Sequence, residues 1–230
     1  MAKEANCLKK KSQRIFAGVL AVLISVAMVG SGLLVFFFKG DEPSSGSSAS
    51  TITANAEAEY QNQKLRIDAM VQQAKEDPEN VLLQTALGNE YYDAAIKAQV
   101  VSPTEVQDNF SKAVEAYQMV LKTNKDPNIM VDMATSAFYS GNYDLAEKSF
   151  NDALVIKPDF MNALINYGIF LSQAKQDWVG ALNQWQKALP LAQNSSDKEQ
   201  IQAMINQAQS KLKANQTTDG VSNPILKDGE

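Results

Sequence analysis

Residues 127–160 read PNIMVDMATSAFYSGNYDLAEKSFNDALVIKPDF. Two rows at helical spacing flank Ser140-Gly141-Asn142-Tyr143. Met130, Met133, Ala134 and Ala137 form the first, and Ala146, Phe150 and Ala153 the second. Each row fits one face of an amphipathic helix. Gly141 supplies the turn, while Pro127 opens the stretch and Lys157-Pro158 closes it. The pattern predicts a hairpin of two short helices that cannot hide its apolar face alone.

The pattern recurs on both sides. Ala113-x3-Tyr117-x2-Val120, Ala146-x3-Phe150-x2-Ala153 and Ala181-x3-Trp185-x2-Ala188 are spaced by 33 and 35 residues. A partner row precedes each: Gln84-x2-Leu87-Gly88-x2-Tyr91, Met130-x2-Met133-Ala134-x2-Ala137 and Leu164-x2-Tyr167-Gly168-x2-Leu171. The third unit carries one extra residue in its turn. Trp178 follows that turn and is expected to staple it.

These residues resemble the tetratricopeptide repeat (TPR) family, whose helix–turn–helix unit is about 34 residues long. The resemblance covers about residues 80–193 and implies an all-α fold. Three TPR units, 80–126, 127–160 and 161–194, would stack as a right-handed superhelix. A capping helix follows over 197–213, marked by Ile201, Met204, Ile205, Ala208 and Leu212, and then a disordered tail over 214–230. The repeat-defining core is Leu87, Gly88, Tyr91, Ala113, Tyr117, Ala134, Ala146, Phe150, Ala153, Pro158, Gly168, Ala181, Trp185 and Ala188. Gly88, Ala134 and Gly168 would let paired helices approach closely. Tyr117, Phe150 and Trp185 are expected to fill the space between successive hairpins.

The first unit is longer. From Gly88 to Ala113 is 25 residues, against 12 from Ala134 to Ala146. Ser102-Pro103-Thr104-Glu105 reads as a capping box with proline at the first helical position. Both helices are therefore expected to extend by about one to two turns. Ala94, Ala95, Ile96, Val100, Val101, Val106 and Phe110 give this arm an apolar surface of its own. It would meet either a partner or the preceding helix, expected over 54–76. On the partner alternative, deleting Lys97 to Gln107 would spare folding and weaken capture.

Given the family geometry, the first helix of each unit lines a concave face. The resemblance places Asn89, Tyr92 and Asp93 there from unit one, Val131, Thr135, Phe138 and Tyr139 from unit two, and Ile165, Ile169, Ser172 and Gln173 from unit three. Relatives that clamp a C-terminal carboxylate use Lys, Arg and Asn on this face. Here only Asn89 remains, so the lining suits a peptide or protein partner held by apolar anchors and amide donors.

Before the repeats, Ile15 through Phe38 run 24 residues without a charge. As a helix this is about 36 Å, enough to cross a hydrocarbon core of about 30 Å. The run is too long for a cleaved leader and ends in Phe36-Phe37-Phe38-Lys39. Lys9, Lys10, Lys11 and Arg14 precede it, so residues 1–14 are expected in the cytoplasm and everything after the span outside. Ala17, Ala21 and Ser25 form a small-residue stripe that leaves a homodimer open. Residues 39–53, rich in Ser and Gly, read as a flexible linker. The layout is similar to bacterial TPR proteins that assist secretion, envelope assembly or cytochrome maturation.

Residues 1–39 carry six bases and one acid, leaving 15 bases and 25 acids for the remainder. An acidic soluble part argues against nucleic acid. The chain has no histidine and a single cysteine, Cys7. That removes the usual general base and the commonest metal ligand, and it forbids an internal disulfide. No phosphate loop or metal cluster is evident. The expectation is a scaffold without cofactor, not an enzyme, with a self-associating structural protein as the alternative.

Overall fold

The computed structural model describes residues 48–219, with side chains over 55–215. The basic tail, the uncharged run at 15–38 and the first part of the linker lie outside these residues. Among the described residues no helix is long and apolar enough to cross a membrane. The chain divides into two compact units, Met1–Glu59 and Tyr60–Glu230. The packing that follows is internal to the second.

The described residues are all-α. Eight helices follow one another: α1 Ser48–Glu76, α2 Val81–Val101, α3 Val106–Leu121, α4 Pro127–Tyr139, α5 Tyr143–Ile156, α6 Met161–Ala174, α7 Trp178–Ala188 and α8 Ser195–Asp219. Short 3-10 turns at Pro103–Glu105 and Leu189–Leu191 interrupt them. Helices pair as α2–α3, α4–α5 and α6–α7, and each pair packs on the next through α3–α4 and α5–α6. The result is a TPR-like stack of helical hairpins in chain order. Helix α8 covers α7 at the end.

Local chemistry sets the boundaries. Asn80, Asp126, Asn142 and Asp177 cap α2, α4, α5 and α7, each side chain accepting a hydrogen bond from a first-turn N–H. Pro127 occupies the first turn of α4, where no intrahelical donor is missed. In the α4–α5 turn, Gly141 takes φ 87° and the Asn142 N–H reaches back to Ala137 O at 2.8 Å. In the α6–α7 turn, also three residues long, Gln176 takes φ 53° and the Asp177 N–H bonds Leu171 O at 2.9 Å. The extra residue of the third unit, expected in its turn, lengthens the end of α6 instead, 14 residues against 13 in α4. Trp178, partly buried, faces Lys211 of α8 at 6.0 Å.

Two boundaries differ from expectation. Helix α1 starts at Ser48, inside the segment read as linker, because no Gly or Pro occurs between Gly46 and Pro78. Helix α8 runs to Asp219, past Lys213 and into the segment read as a disordered tail; its first breaker is Gly220.

The extended first hairpin is present, and it faces inward. Helix α2 has 21 residues against 13 in α4 and 14 in α6. Tyr60, Ile67 and Ala74, seven residues apart on α1, pack with Leu87, Ala94, Ala98 and Ala116. Met70, Val71, Leu83, Tyr91, Val101 and Val106 flank this cluster. Lys97 Nζ donates to the buried Gln63 Oε1 at 2.6 Å, and Gln63 Nε2 donates to Glu90 O at 2.9 Å. The arm is therefore the seat of the leading helix. Deleting Lys97 to Gln107 would strip α1 of its dock and not leave folding untouched. Val100, 71% exposed, is the arm residue that stays outside.

The expected capping box does not close on the backbone. Ser102 Oγ donates to Glu105 Oε1 at 2.9 Å, and Pro103–Glu105 winds as a 3-10 turn. Glu105 is drawn away by α1: its Oε2 accepts from the Tyr60 hydroxyl at 2.8 Å and from Lys64 Nζ at 3.1 Å. Asn109 Nδ2 completes the set by donating to the Tyr60 oxygen at 2.9 Å. The Tyr60 hydrogen bond first, then those of Lys64 and Ser102, hold the Glu105 carboxyl below its ordinary value of 4.5. A depressed carboxylate stabilises the fold above its ordinary range, and the contribution fades as pH falls through the lowered value. Glu105→Gln is thus expected to lower the melting temperature at pH 7 and to flatten its decline as pH falls below the ordinary carboxylate value of 4.5. Parallel acid titrations of both proteins, followed at 222 nm, check this; identical slopes would contradict it.

Two of the aromatic residues expected between hairpins also pack on the first helix of their own. An added Cβ at Gly88 would lie 2.6 Å from Tyr117 Cε1, and one at Gly168 would lie 2.7 Å from Trp185 Cε2. Without those Cβ atoms each ring lies flat on its partner backbone. The Tyr117 hydroxyl donates to Asn89 Oδ1 at 2.9 Å and Trp185 Nε1 donates to Ile165 O at 3.1 Å, both within one hairpin. At the middle hairpin the equivalent position is Ala134. There Phe150 turns to the next unit as expected, stacking on Tyr167 at 5.6 Å.

Candidate functional site

The first helices α2, α4 and α6 carry every residue expected on the concave lining. Aromatic members run into a seam of rings crossing both hairpin junctions. Tyr92 meets Phe110 edge-on at 5.4 Å, and Phe110 stacks on Tyr139 at 5.1 Å. Tyr139 adjoins Phe138 at 4.6 Å, and Phe138 meets Phe170 edge-on at 5.6 Å. Phe170 also neighbours Tyr143, Phe150 and Tyr167 within 6.2 Å. Offset and edge-on pairs at these separations each add about 0.5–1.5 kcal/mol beyond burial. Phe138 and Tyr139 thus spend most of their ring surface joining hairpins.

The lining divides by exposure. Asn89, Tyr92, Asp93, Phe138, Tyr139 and Gln173 are partly buried. Val131, Thr135, Ile165, Ile169 and Ser172 are buried, so they are not the open apolar anchors expected of them. Helices α4 and α6 touch directly, and branched side chains between adjoining first helices are shielded there. Thr135 and Ser172 return their hydroxyls to their own helices, at Val131 O and Ile169 O. Asn89 is engaged by Tyr117.

Charge on this face is acidic. Burial first, then Tyr139, Asp132 and Asp93, raise the Tyr92 phenol above its ordinary value, so both carboxylates act on one ring. Burial raises Tyr139 as well. Phenols held up in this way stay protonated at any physiological pH and serve as donors and apolar surface. Among the described residues, no group of His, Cys, Asp and Glu is placed to hold a metal.

Two polar residues share one column of the repeat. Asp132 lies two residues before Ala134, and Asn166 two before Gly168, which are equivalent positions on successive first helices. Asn166 is 4% exposed, and its Nδ2 and Oδ1 have no hydrogen-bond partner. Aligning the repeats column by column would have drawn attention to both.

No protein-family profile matches the chain, and no curated protein matches it in sequence. Solved structures similar in backbone include two of MamA and one of PilW, a widely conserved type IV pilus biogenesis factor. One MamA structure is 12% identical with a TM-score of 0.46, covering 77% of this chain and 99% of its own. The second is 11% identical at 0.41, covering 76% and 99%. PilW is 14% identical at 0.37, covering 74% and 94%. Likenesses of this size carry no weight for function, and the helical repeat rests on the chain's own hairpins.

Proposed function

We propose that this chain is a scaffold: three TPR units in a right-handed superhelix, held by an N-terminal membrane anchor and presenting the first-helix face to a protein or peptide partner. The observation that carries the reading is the row of partly buried amide, phenol and carboxylate groups on α2, α4 and α6. Asn89, Tyr92, Asp93, Tyr139 and Gln173 follow one another across successive hairpins. Such a face offers hydrogen bonds and aromatic surface over a length suited to an extended or helical segment. The uncharged run at 15–38, with its basic leading flank, supports a single-pass span with residues 1–14 in the cytoplasm and the repeats outside. Cofactor chemistry and nucleic acid have no part in this reading.

The test is photocrosslinking in the native membrane from an unnatural amino acid at Tyr92 or Gln173, with Lys148 as a control on a second helix. Adducts of discrete mass from the first two positions and none from Lys148 are expected. Equal labelling from all three, or adducts composed only of a second copy of this chain, would replace the scaffold with a self-associating structural protein.

A further inference from the structure

The joint between α1 and α2 repeats the joint between α5 and α6. Asp77, Asn80 and Gln84 donate their backbone N–H groups to Gln73 O at 3.1 Å, Asp77 O at 3.3 Å and Asn80 O at 2.9 Å. Lys157, Phe160 and Leu164 make the same three bonds, to Ala153 O at 2.9 Å, Lys157 O at 3.1 Å and Phe160 O at 3.0 Å. Helix α1 therefore stands where the second helix of a unit stands, with no first helix before it among the described residues. In that register Leu65 and Ala69 of α1 correspond to Leu145 and Ser149 of α5. Leu145 is partly buried and Ser149 buried, whereas Leu65 is 68% exposed and Ala69 is exposed.

The open side of α1 carries a pattern. Asn62, Leu65, Ala69 and Gln72 follow at three, four and three residues, and all four are exposed. That is the spacing of the a and d positions of a coiled coil. Each residue turns the helix by about 100°, so Leu65 lies about 200° from Ile67, on the side away from α2. None of the four is charged, although Arg66, Asp68, Lys75 and Glu76 are exposed on the same helix. A parallel pair sets each seam position against its own copy, which an uncharged seam permits. Gln61 of one copy would fall beside Arg66 of the other, and Asp68 beside Gln73, so like charges do not meet. Leucine suits the d position, and a single asparagine at a fixes register and strand number.

The chain upstream names the occupant. Residues 39–47 alone separate the uncharged run from α1. They are too few to fold back on α1 as a first helix, since α4 takes 13 residues without its turn. Two spans in one bilayer would instead bring two α1 helices out side by side and in one direction.

We propose that two copies of this chain pair in the membrane through parallel α1 helices, with Asn62, Leu65, Ala69 and Gln72 as the seam. The contact uses none of the groove residues. It rests on the anchor reading: so short a seam is weak by itself, and confinement to one bilayer supplies the effective concentration that sustains it.

The test uses the full chain in its native membrane on a Cys7→Ser background, washed at alkaline pH and then oxidised. Leu65→Cys is compared with Leu82→Cys and Val155→Cys, at apolar positions 83% and 82% exposed on other surfaces. Leu65→Cys should give a disulfide-linked dimer and the other two none. Ala69→Glu, at an exposed position and with a good helix former, should keep the fold. Added to Leu65→Cys, it sets like charges face to face and should cut the dimer about tenfold. No more dimer from Leu65→Cys than from the two controls would overturn the pairing and leave the anchor in place. A dimer undiminished by Ala69→Glu would put the contact elsewhere, such as in the span, and would overturn it as well. Release of the chain by the alkaline wash would remove the anchor reading and the inference together.

Discussion

Gly168→Ala is expected to lower the melting temperature by about 2–20 °C, although alanine is the better helix former. The helical gain is about 1 kcal/mol. Against it, the new methyl would fall within contact distance of three indole atoms of Trp185, at 2.7 Å from Cε2 and 2.8 Å from Cδ1 among them. Trp185 is 2% exposed and its ring is rigid, so it must leave its slot. Overpacking of this kind costs about 1–3 kcal/mol, and losing the Nε1–H bond to Ile165 O within the core costs about 1–3 more. The net, about 1–5 kcal/mol, converts at about 2–4 °C per kcal/mol for a domain of this size. Thermal unfolding at 222 nm reads the shift, and the Trp185→Phe background should shrink it, since the two positions share one contact. A Gly168→Ala protein as stable as wild type would mean that the indole has another place to go.

Phe170→Ala is expected to have an effect of comparable size. Phe170 is fully buried on α6 and meets rings from two other helices: Phe138 on α4, Tyr143 and Phe150 on α5, with Tyr167 on its own. Truncating a buried phenylalanine costs about 3–5 kcal/mol, so the melting temperature should fall by about 6–20 °C. Phe170→Leu, which keeps most of the volume and loses the ring contacts, should cost no more than about 1–2 kcal/mol. Val155→Ala, at a position 82% exposed, serves as the neutral control. If Phe170→Ala behaves like Val155→Ala, the ring seam does not hold the second and third hairpins together.

Much of this architecture could be read from residue order because each helix obeys local rules. The small–aromatic spacing of Ala146-x3-Phe150 and its copies places both residues on one helical face wherever the helix sits, and the caps at Asn80, Asp126, Asn142 and Asp177 act within one turn. What spacing does not specify is the neighbour a ring meets. Tyr117 and Trp185 lie against glycines of their own hairpins, and Phe150 meets Tyr167 of the next. The arm shows the same limit: its apolar positions were evident, but that they face α1 depends on the seven-residue register of Tyr60, Ile67 and Ala74 over a separation of some forty residues. The concave lining was assigned by helical phase, which does not reveal that Ile165 and Ile169 lie covered. Nor does phase show that Asn166 lacks a partner, a fact that exists only once every surrounding atom is placed.

The rings running from Tyr92 to Tyr167 have a consequence for how the array comes apart. Stacked repeats with weak junctions fray one unit at a time from either end. Here an unbroken aromatic run crosses both junctions, so the three hairpins are coupled into one cooperative block and hydrogen exchange within it proceeds by concerted opening. The junction to α8 has no such run and rests on aliphatic contacts with one Trp178–Lys211 pairing. Slow global exchange in α2–α7 together with faster local exchange in α8 is the signature that such an arrangement imposes.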